Sequence, residues 1–447
     1  MSNITIHGIG YVGLIMATGL AELGNQVICL DTDNKKIEQL NQGTVPFYEP
    51  GLEDLLRKNL AANRIEFSTE LQKAVQHGEY QFITVGTPSA EDGSADLSYV
   101  FEVAKNIGKF IEKDCIVIGK STVPVGTTHK VKTIIEAELA ARKSNIKLSV
   151  AFNPEFLQEG SAVHNFMHPN RVIIGSDDPI VINKMYELYK PTLVSAKQFI
   201  SMSICSAELT KYAANAFLAM KISFINEIAN ISEYLGADIT HIQKGIGADE
   251  RINPHFLNAG SGYGGSCFSK DLHALLKTQE KIHYYSPLLD SIEKVNDRQK
   301  HVLFNKIFRY FNENLKDKTI AIWGLAFKPN SSDMRYAASI ILLQELWEHE
   351  AKVKAYDPAA MSEAGTMFGP RDDLIFCATK EDTLIDADAL VVVTEWQEFL
   401  DPNFELIKNS LKNPVIFDGR NIYDPAYLAE LGIKYFGIGR GVYPLQG

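Results

Sequence analysis

The segment that most constrains this chain stands at its start. Gly8, Gly10 and Gly13 form a G-x-G-x-x-G turn between an apolar run at 4–7 and a helix-compatible stretch at 14–23, which Gly24 stops. A second apolar run at 27–30 follows and ends in Asp31. Strand, glycine turn, helix and strand make a βαβ unit. In such a unit the glycines serve a tight turn, close approach of a pyrophosphate and tight helix–strand packing. The unpaired N–H groups of the helix N-terminus then face the phosphates. A carboxylate about 20 residues on accepts from ribose hydroxyls and repels a 2′-phosphate, so Asp31 selects NAD over NADP. Tyr11 and Val12 lie inside the turn and belong to the same expected site. Lys36 reads equally as a partner of that ribose or as a solvated helix charge.

Strand-like runs continue at 82–85, 116–119 and 148–151 with helix-like stretches between them, the alternation of a parallel, doubly wound sheet. From about 206 to 235 the pattern changes to one long helix, of a length that bridges two domains or forms a dimer seam. A second α/β pattern begins near Lys318. Residues 319–324 read as strand into turn, and 353–356 with Asp357 echo the ending at Asp31. Further buried strands are expected at 389–394 and 415–417. The second half thus repeats the architecture of the first without its glycine fingerprint. The expected fold class is α/β, two Rossmann-like doubly wound domains joined by a long central helix. The end of the chain after Tyr443 reads as loose.

Composition narrows the function classes. The chain of 447 residues is 45% hydrophobic and 22% charged, enough to bury a core in each of two or three domains. A net charge of −11 lacks the basic field of a nucleic-acid binder. Anionic ligands then require local helix N-termini, Lys and Arg. Five scattered cysteines give neither a disulfide framework nor a zinc pattern, so no metal is expected and a reducing cytoplasm fits. The sequence shows no secretory signal and no apolar stretch long enough for a bilayer.

A second dense signal is Gly262-Tyr263-Gly264-Gly265-Ser266-Cys267-Phe268, followed by Lys270 and Asp271. Glycines let backbone amides approach a ligand, and a cysteine closing such a loop sits where a thiolate is favoured. A buried structural cysteine on a glycine turn is the alternative. Asn153-Pro154-Glu155-Phe156-Leu157-Gln158-Glu159-Gly160 sets two carboxylates four residues apart, on one face if the segment is a helical turn. They fit acid/base or hydroxyl-binding work, or a solvated helix start after Pro154. Lys211 and Asn215, also four apart, would hold an oxyanion and a hydroxyl if they point inward, or lie on the surface. Thr122 follows an apolar strand, at the carboxyl edge where doubly wound folds place ligands, or is a plain turn hydroxyl.

Together these motifs closely resemble the UDP-glucose/GDP-mannose dehydrogenase family over nearly the whole chain. The residues that carry the resemblance are Gly-Ile-Gly-Tyr-Val-Gly at 8–13, Ser-Thr-Val-Pro-Val-Gly-Thr at 121–127 and Asn-Pro-Glu-Phe-Leu-x-Glu-Gly at 153–160. Glu208-x-x-Lys211-Tyr212-x-x-Asn215, Gly-Gly-Ser-Cys-Phe at 264–268, Gly-Leu-Ala-Phe-Lys at 324–328 and Asp418-Gly419-Arg420 complete them. The resemblance implies an NAD-binding domain at 1–200, a central helical dimerisation domain at 201–300 and a UDP-sugar-binding domain at 301–447, in a homodimer.

It also implies a four-electron oxidation of UDP-glucose to UDP-glucuronate, consuming two NAD and one water. Cys267 would capture the aldehyde as a thiohemiacetal and then carry a thioester, which water hydrolyses. Lys211 and Asn215 would stabilise the oxyanion, and Asp271 with Thr122 and Lys211 would orient water. Glu155 or Glu159 would move the proton, without the sequence deciding between them. By match, Thr87, Thr122, Glu159, Lys270 and Arg335 would touch NAD. Phe156, Leu157, Phe256, Gly260, Tyr263, Gly264, Lys328 and Arg420 would line the nucleotide-sugar site, and Arg251 would reach substrate across the dimer. The chain departs from the family at Asn253, where glycine is usual, and at Ala259 and Ser269, where prolines are common. Asn170, Ser332 and Tyr336 replace acidic residues. The Phe-Leu-x-Glu-Gly form of the 153–160 motif favours UDP-glucose. A sister activity on GDP-mannose or a UDP-N-acetylhexosamine is the first alternative, and a catalytically silent nucleotide-binding scaffold the remote one.

Overall fold

In the computed structural model, residues 1–440 are described; the end after Tyr443 lies outside them. The chain divides into two compact units, Met1–Ala214 with His273–Tyr284, and Asn215–Leu272 with Tyr285–Gly447.

The first unit is built on an eight-stranded sheet in the order β3-β2-β1-β4-β5-β6-β7-β8. Its strands are β1 (Asn3–His7), β2 (Gln26–Leu30), β3 (Ile65–Ser68), β4 (Tyr80–Ile83), β5 (Cys115–Gly119), β6 (Leu148–Phe152), β7 (Val172–Gly175) and β8 (Phe199–Met202). Near-continuous apolar runs such as Val27-Ile28-Cys29 and Ile116-Val117-Ile118 bury both faces of the sheet, as helices on both sides require. The pairing is parallel except between β6 and β7, which meet antiparallel at Phe152 and Gly175, so the sheet is mixed at that edge.

The second unit carries a six-stranded, all-parallel sheet in the order β11-β10-β9-β12-β13-β14. These strands are β9 (Thr319–Trp323), β10 (Lys352–Tyr356), β11 (Leu374–Phe376), β12 (Ala389–Val392), β13 (Val415–Asp418) and β14 (Lys434–Phe436). The strand order repeats the pattern of the first sheet, as the echo in the sequence predicts. The long helix runs Ile204–Leu235, two residues earlier than the sequence suggests.

The two sheets differ at the end of their second strand. Asp31 is partly exposed; its Oδ2 accepts from Ile9 N at 2.8 Å and from Lys36 Nζ at 3.0 Å. Asp357, at the matching place after β10, is fully buried. Its oxygens accept from Leu325 N, Ala326 N, Ala359 N, Ala360 N and Trp396 Nε1, so the turn after β9 is closed by the protein itself. The carboxylate at this place is thus partly exposed in the first sheet and fully buried in the second. Among the described residues no helix is long and apolar enough to cross a membrane.

Candidate active site

At the glycine turn, three positions do different work. A Cβ on Gly13 would stand 2.1 Å from Gly8 O, so only glycine lets the first helix, Tyr11–Glu22, close on β1. Gly8 has φ +94° and packs on Val85. A Cβ on Gly10 would meet nothing within 4 Å. That open space lies at the residue preceding the helix, whose first turn carries no acidic residue and whose N-terminus has no side-chain cap. Uncapped N–H groups beside a cleared position, with Asp31 at the next strand end, fit a dinucleotide. Lys36, read two ways from sequence, is paired with Asp31. The Tyr11 hydroxyl donates to Glu49, and burial, then Glu49 and Glu159, hold this phenol above its ordinary range. Glu49 also accepts from Gly160 N and Ala162 N, both at 2.7 Å, and so fastens the loop bearing Glu159 to the fingerprint tyrosine.

The 153–160 segment forms no helical turn; the next helix starts at Ala162. Glu155 and Glu159 therefore do not share a helix face, nor do they open a solvated helix. The physical reason is a local bond joined to a distant one: the Glu155 carboxylate accepts from Leu157 N at 2.7 Å and from Lys211 Nζ, 56 residues on, at 2.7 Å, with Lys211 also donating to Glu155 O at 2.8 Å. Lys211 points inward and is 4% exposed, not a surface charge. Desolvation pushes the Glu155 carboxyl up, but the charge and hydrogen bond of Lys211, with Leu157 N and Lys120, outweigh it and hold the group below the usual carboxylate range. Phe156 packs between cations, with Arg171 3.8 Å and Lys211 5.4 Å from its ring centroid; Leu157 packs on the first core. Thr87 Oγ1 donates to Thr122 O at 2.9 Å, which joins these two expected cofactor residues.

In the second unit, Cys267 is exposed at the N-terminus of the helix Phe268–Lys281. Its carbonyl accepts the first helical hydrogen bond, from Asp271 N at 2.9 Å. The thiol thus stands at the positive end of the helix dipole rather than buried in a core. Asp271 is 2% exposed and is held from both sides: Asn215 Nδ2 donates at 2.6 Å and Lys270 Nζ at 2.9 Å. Asn215 is buried too.

The glycine loop before Cys267 leans on the turn after β9. Gly265, at φ +83°, donates to Arg335 O at 2.7 Å, and a Cβ there would press on the Phe327 ring. A Cβ on Gly264 would meet Tyr336 O at 2.7 Å, and one on Gly260 would meet Gly419 O at 2.7 Å. Arg420 donates to Phe327 O and Val393 O and pairs with Glu395. The Lys328 ammonium lies 5.4 Å from the Phe327 ring centroid. The structure thus gathers Gly260, Gly264, Lys328 and Arg420 around one turn. Tyr263 and Phe256 both meet the Phe268 ring. Arg335 forks onto Asp333, and the exposed Arg251 forks onto Asp249.

Several residues in this scaffold carry no distinctive sequence signal. Asn226 and Gln299 bracket Gly260 through its N–H and carbonyl, and Asn296 does the same for Tyr263. Glu293 accepts the Tyr263 hydroxyl at 2.8 Å. Glu208 is fully buried and accepts from Gly126 N, Thr128 N and Thr128 Oγ1, which ties the threonine loop to the long helix. Its place three residues before Lys211 in the quoted motif is the signal that marks it.

Three models of one family match along the chain. Residues 2–193 match the NAD-binding-domain model of the UDP-glucose/GDP-mannose dehydrogenase family, 205–298 its central-domain model and 321–425 its UDP-binding-domain model. The chain is 46% identical over 444 residues to UDP-glucose 6-dehydrogenase of Pseudomonas aeruginosa, covering 98% of this chain and 97% of that one. It is 42% identical to UDP-glucose 6-dehydrogenase YwqF of Bacillus subtilis, with 98% of each covered. Among solved structures, a UDP-glucose dehydrogenase from Pyrobaculum islandicum superposes with a TM-score of 0.89 at 32% identity, covering 99% of this chain and 98% of that one. A UDP-D-ManNAc dehydrogenase from Pyrococcus horikoshii gives 0.85 at 25%, covering 98% and 99%. The family resemblance carried by the motifs holds: this chain is a member of the NAD-dependent UDP-glucose/GDP-mannose dehydrogenase family.

Proposed function

We propose that this chain oxidises UDP-glucose to UDP-glucuronate through a covalent adduct on Cys267. The observation that carries the proposal is an exposed thiol at a helix N-terminus, four residues before a buried Asp271 held by Asn215 and Lys270. The names of relatives 46% and 42% identical to this chain support the substrate.

NAD, held by Gly8, Gly10, Tyr11, Val12, Gly13 and Asp31, supplies the hydride acceptor for both oxidations. The chain's own residues do the rest. Glu155, kept ionised by Lys211, and Glu159 serve proton transfer from the sugar hydroxyl. The Cys267 sulfur adds to the aldehyde carbon, so the intermediate does not escape between the two oxidations. The oxidised adduct is a thioester; water adds to it, and the carboxylate and the thiol separate. Lys211 and Asn215 stabilise the oxyanion. Asp271, with Thr122 and Lys211, orients the water. Thr87, Lys270 and Arg335 complete the cofactor contacts. Phe156, Leu157, Phe256, Gly260, Tyr263 and Gly264 line the sugar site, and Lys328 and Arg420 neutralise the diphosphate.

The assembly belongs to the same proposal. Phe217, Phe224 and Ile231, seven residues apart on the long helix, are 58%, 50% and 48% exposed. An apolar stripe of this kind on a solvent face calls for a partner, and a second copy of this chain covers it, which brings Arg251 to the partner's substrate. A reducing cytoplasm suits a chain whose five cysteines are all free.

The test is NADH formation with UDP-glucose, GDP-mannose and a UDP-N-acetylhexosamine. UDP-glucose should be turned over fastest. No turnover of UDP-glucose overturns the proposal, and preference for either other sugar moves the activity to a sister enzyme.

A further inference from the structure

The 153–160 loop is fastened at its far end by a side chain to which the mechanism gives no role. Glu49, in the connection between the helices Asn34–Asn41 and Leu52–Ala61, is 7% exposed. Its carboxyl group takes three donors. Oε2 accepts from the Tyr11 hydroxyl and from Gly160 N at 2.7 Å, and Oε1 accepts from Ala162 N at 2.7 Å. A buried carboxyl group is costly unless it is hydrogen-bonded. Here each oxygen meets a backbone N–H, so the position requires a side chain that accepts at both of its polar atoms. The Tyr11 ring also packs on Phe47, two residues before Glu49, with centroids 5.0 Å apart. One side chain thus joins the start of the fingerprint helix to the backbone just after Glu159. On the other flank of Glu159, Gln158 N donates to Asn165 Oδ1 at 2.9 Å, a bond that stays within the same stretch of chain. The opposite end of the loop is held separately, by the pair of Glu155 with Lys211.

We propose that Glu49 is a positioning residue: by holding Gly160 N and the Tyr11 hydroxyl on one oxygen, it sets Glu159 against the cofactor turn. This rests on the role given to Glu159 above. The plainer alternative is a helix cap. Ser161 makes no side-chain cap to the helix Ala162–Met167, and Glu49 takes the N–H of its first residue instead. A cap alone contributes to stability, whereas a positioning group contributes to the step that Glu159 serves. Phe156 and Leu157 lie at the end of the loop that Glu155 and Lys211 hold. Loss of Glu49 therefore impairs turnover more than it impairs sugar binding.

A double-mutant cycle between Glu49 and Glu159 tests this. Glu49→Gln offers one acceptor to two backbone N–H groups, so one of them is released. With UDP-glucose and saturating NAD, Glu49→Gln should lower kcat about tenfold and leave KM for UDP-glucose within about twofold. Glu159→Gln alone should lower kcat about a hundredfold. Adding Glu49→Gln to Glu159→Gln should lower it no further, because the group being positioned is already gone. Effects that multiply in the double variant, the mark of a purely structural role, overturn the proposal, and so does wild-type kcat in Glu49→Gln. If Glu49→Gln does not fold, Tyr11→Phe takes its place in the cycle. It removes the bond from the fingerprint to Glu49 and leaves both backbone bonds. It should lower kcat about threefold in the wild type and not at all beside Glu159→Gln; an equal loss in both backgrounds overturns the proposal. Undiminished kcat in Glu159→Gln overturns the role of Glu159 and this proposal with it. A wild-type enzyme inert towards UDP-glucose overturns the functional assignment itself, a separate and distinguishable failure.

Discussion

Cys267 is the residue on which the proposed chemistry turns. Cys267→Ala should abolish formation of the acid while the melting temperature stays within a few degrees of wild type, because an exposed side chain at a helix start carries little packing energy. Acid formation by that variant, followed by chromatography of the product, would rule out the covalent route. His7 offers a test of the fold at the same scale. It is fully buried beside Gln81, and burial lowers its imidazole to about 4. The unfolded chain binds a proton at this site near 6.5, so stability is fully present above that pH and is lost as pH falls towards 4, by up to about 3 kcal/mol. Denaturant titrations at a series of pH values should show this slope in the wild type and a flatter one in His7→Asn. At this scale the sequence displayed the groups proposed to react but not their restraints. Cys267, Lys211, Asn215 and Asp271 were legible from motif. The pairing of Lys211 with Glu155, and the burial of Lys120 and Glu49, depend on residues 56, 33 and 111 positions away or more, where no local pattern reaches.

At the scale of the element, the glycine turn makes a contrast between neighbours. Gly13→Ala places a methyl against Gly8 O and should destabilise the protein by about 1–3 kcal/mol. Gly10→Ala meets no protein atom, so the apo melting temperature should hold while NAD affinity falls about tenfold or more. Thermal melts with and without NAD separate the two; an equal effect of both would mean that the turn is only structural. The alternation of strands and helices was readable because periodicity is local. The antiparallel meeting of β6 and β7 was not, because it depends on where a chain end lands after 19 intervening residues. Likewise the spacing at 153–160 left a helical turn open, and the segment is a loop in which Glu155 pairs with Lys211. The departure at Asn253 has a clear physical reading: its φ is +64°, a conformation glycine adopts freely and asparagine tolerates best among the rest. Tyr336, at φ +56°, takes the same conformation with a bulky side chain, and Tyr336→Asn should gain about 1 kcal/mol of stability in a denaturant titration.

For the whole molecule, the repetition of one architecture was legible in the sequence, and the structure shows where the two copies differ: Asp357 is fully buried within its own turn, whereas Asp31 is partly exposed and pairs with Lys36. The apolar stripe on the long helix predicts an assembly. Light scattering should return twice 49.8 kDa for the wild type, and 49.8 kDa for the double variant Phe217→Asp with Phe224→Asp. A wild-type protein of the single-chain mass would remove the dimer and the role of Arg251 with it. The most direct measurement of the central claim is the number of NADH molecules formed per UDP-glucose consumed to completion. Capture on Cys267 and a second oxidation require two, with UDP-glucuronate as the product; a value of one, with the aldehyde accumulating, would contradict the account.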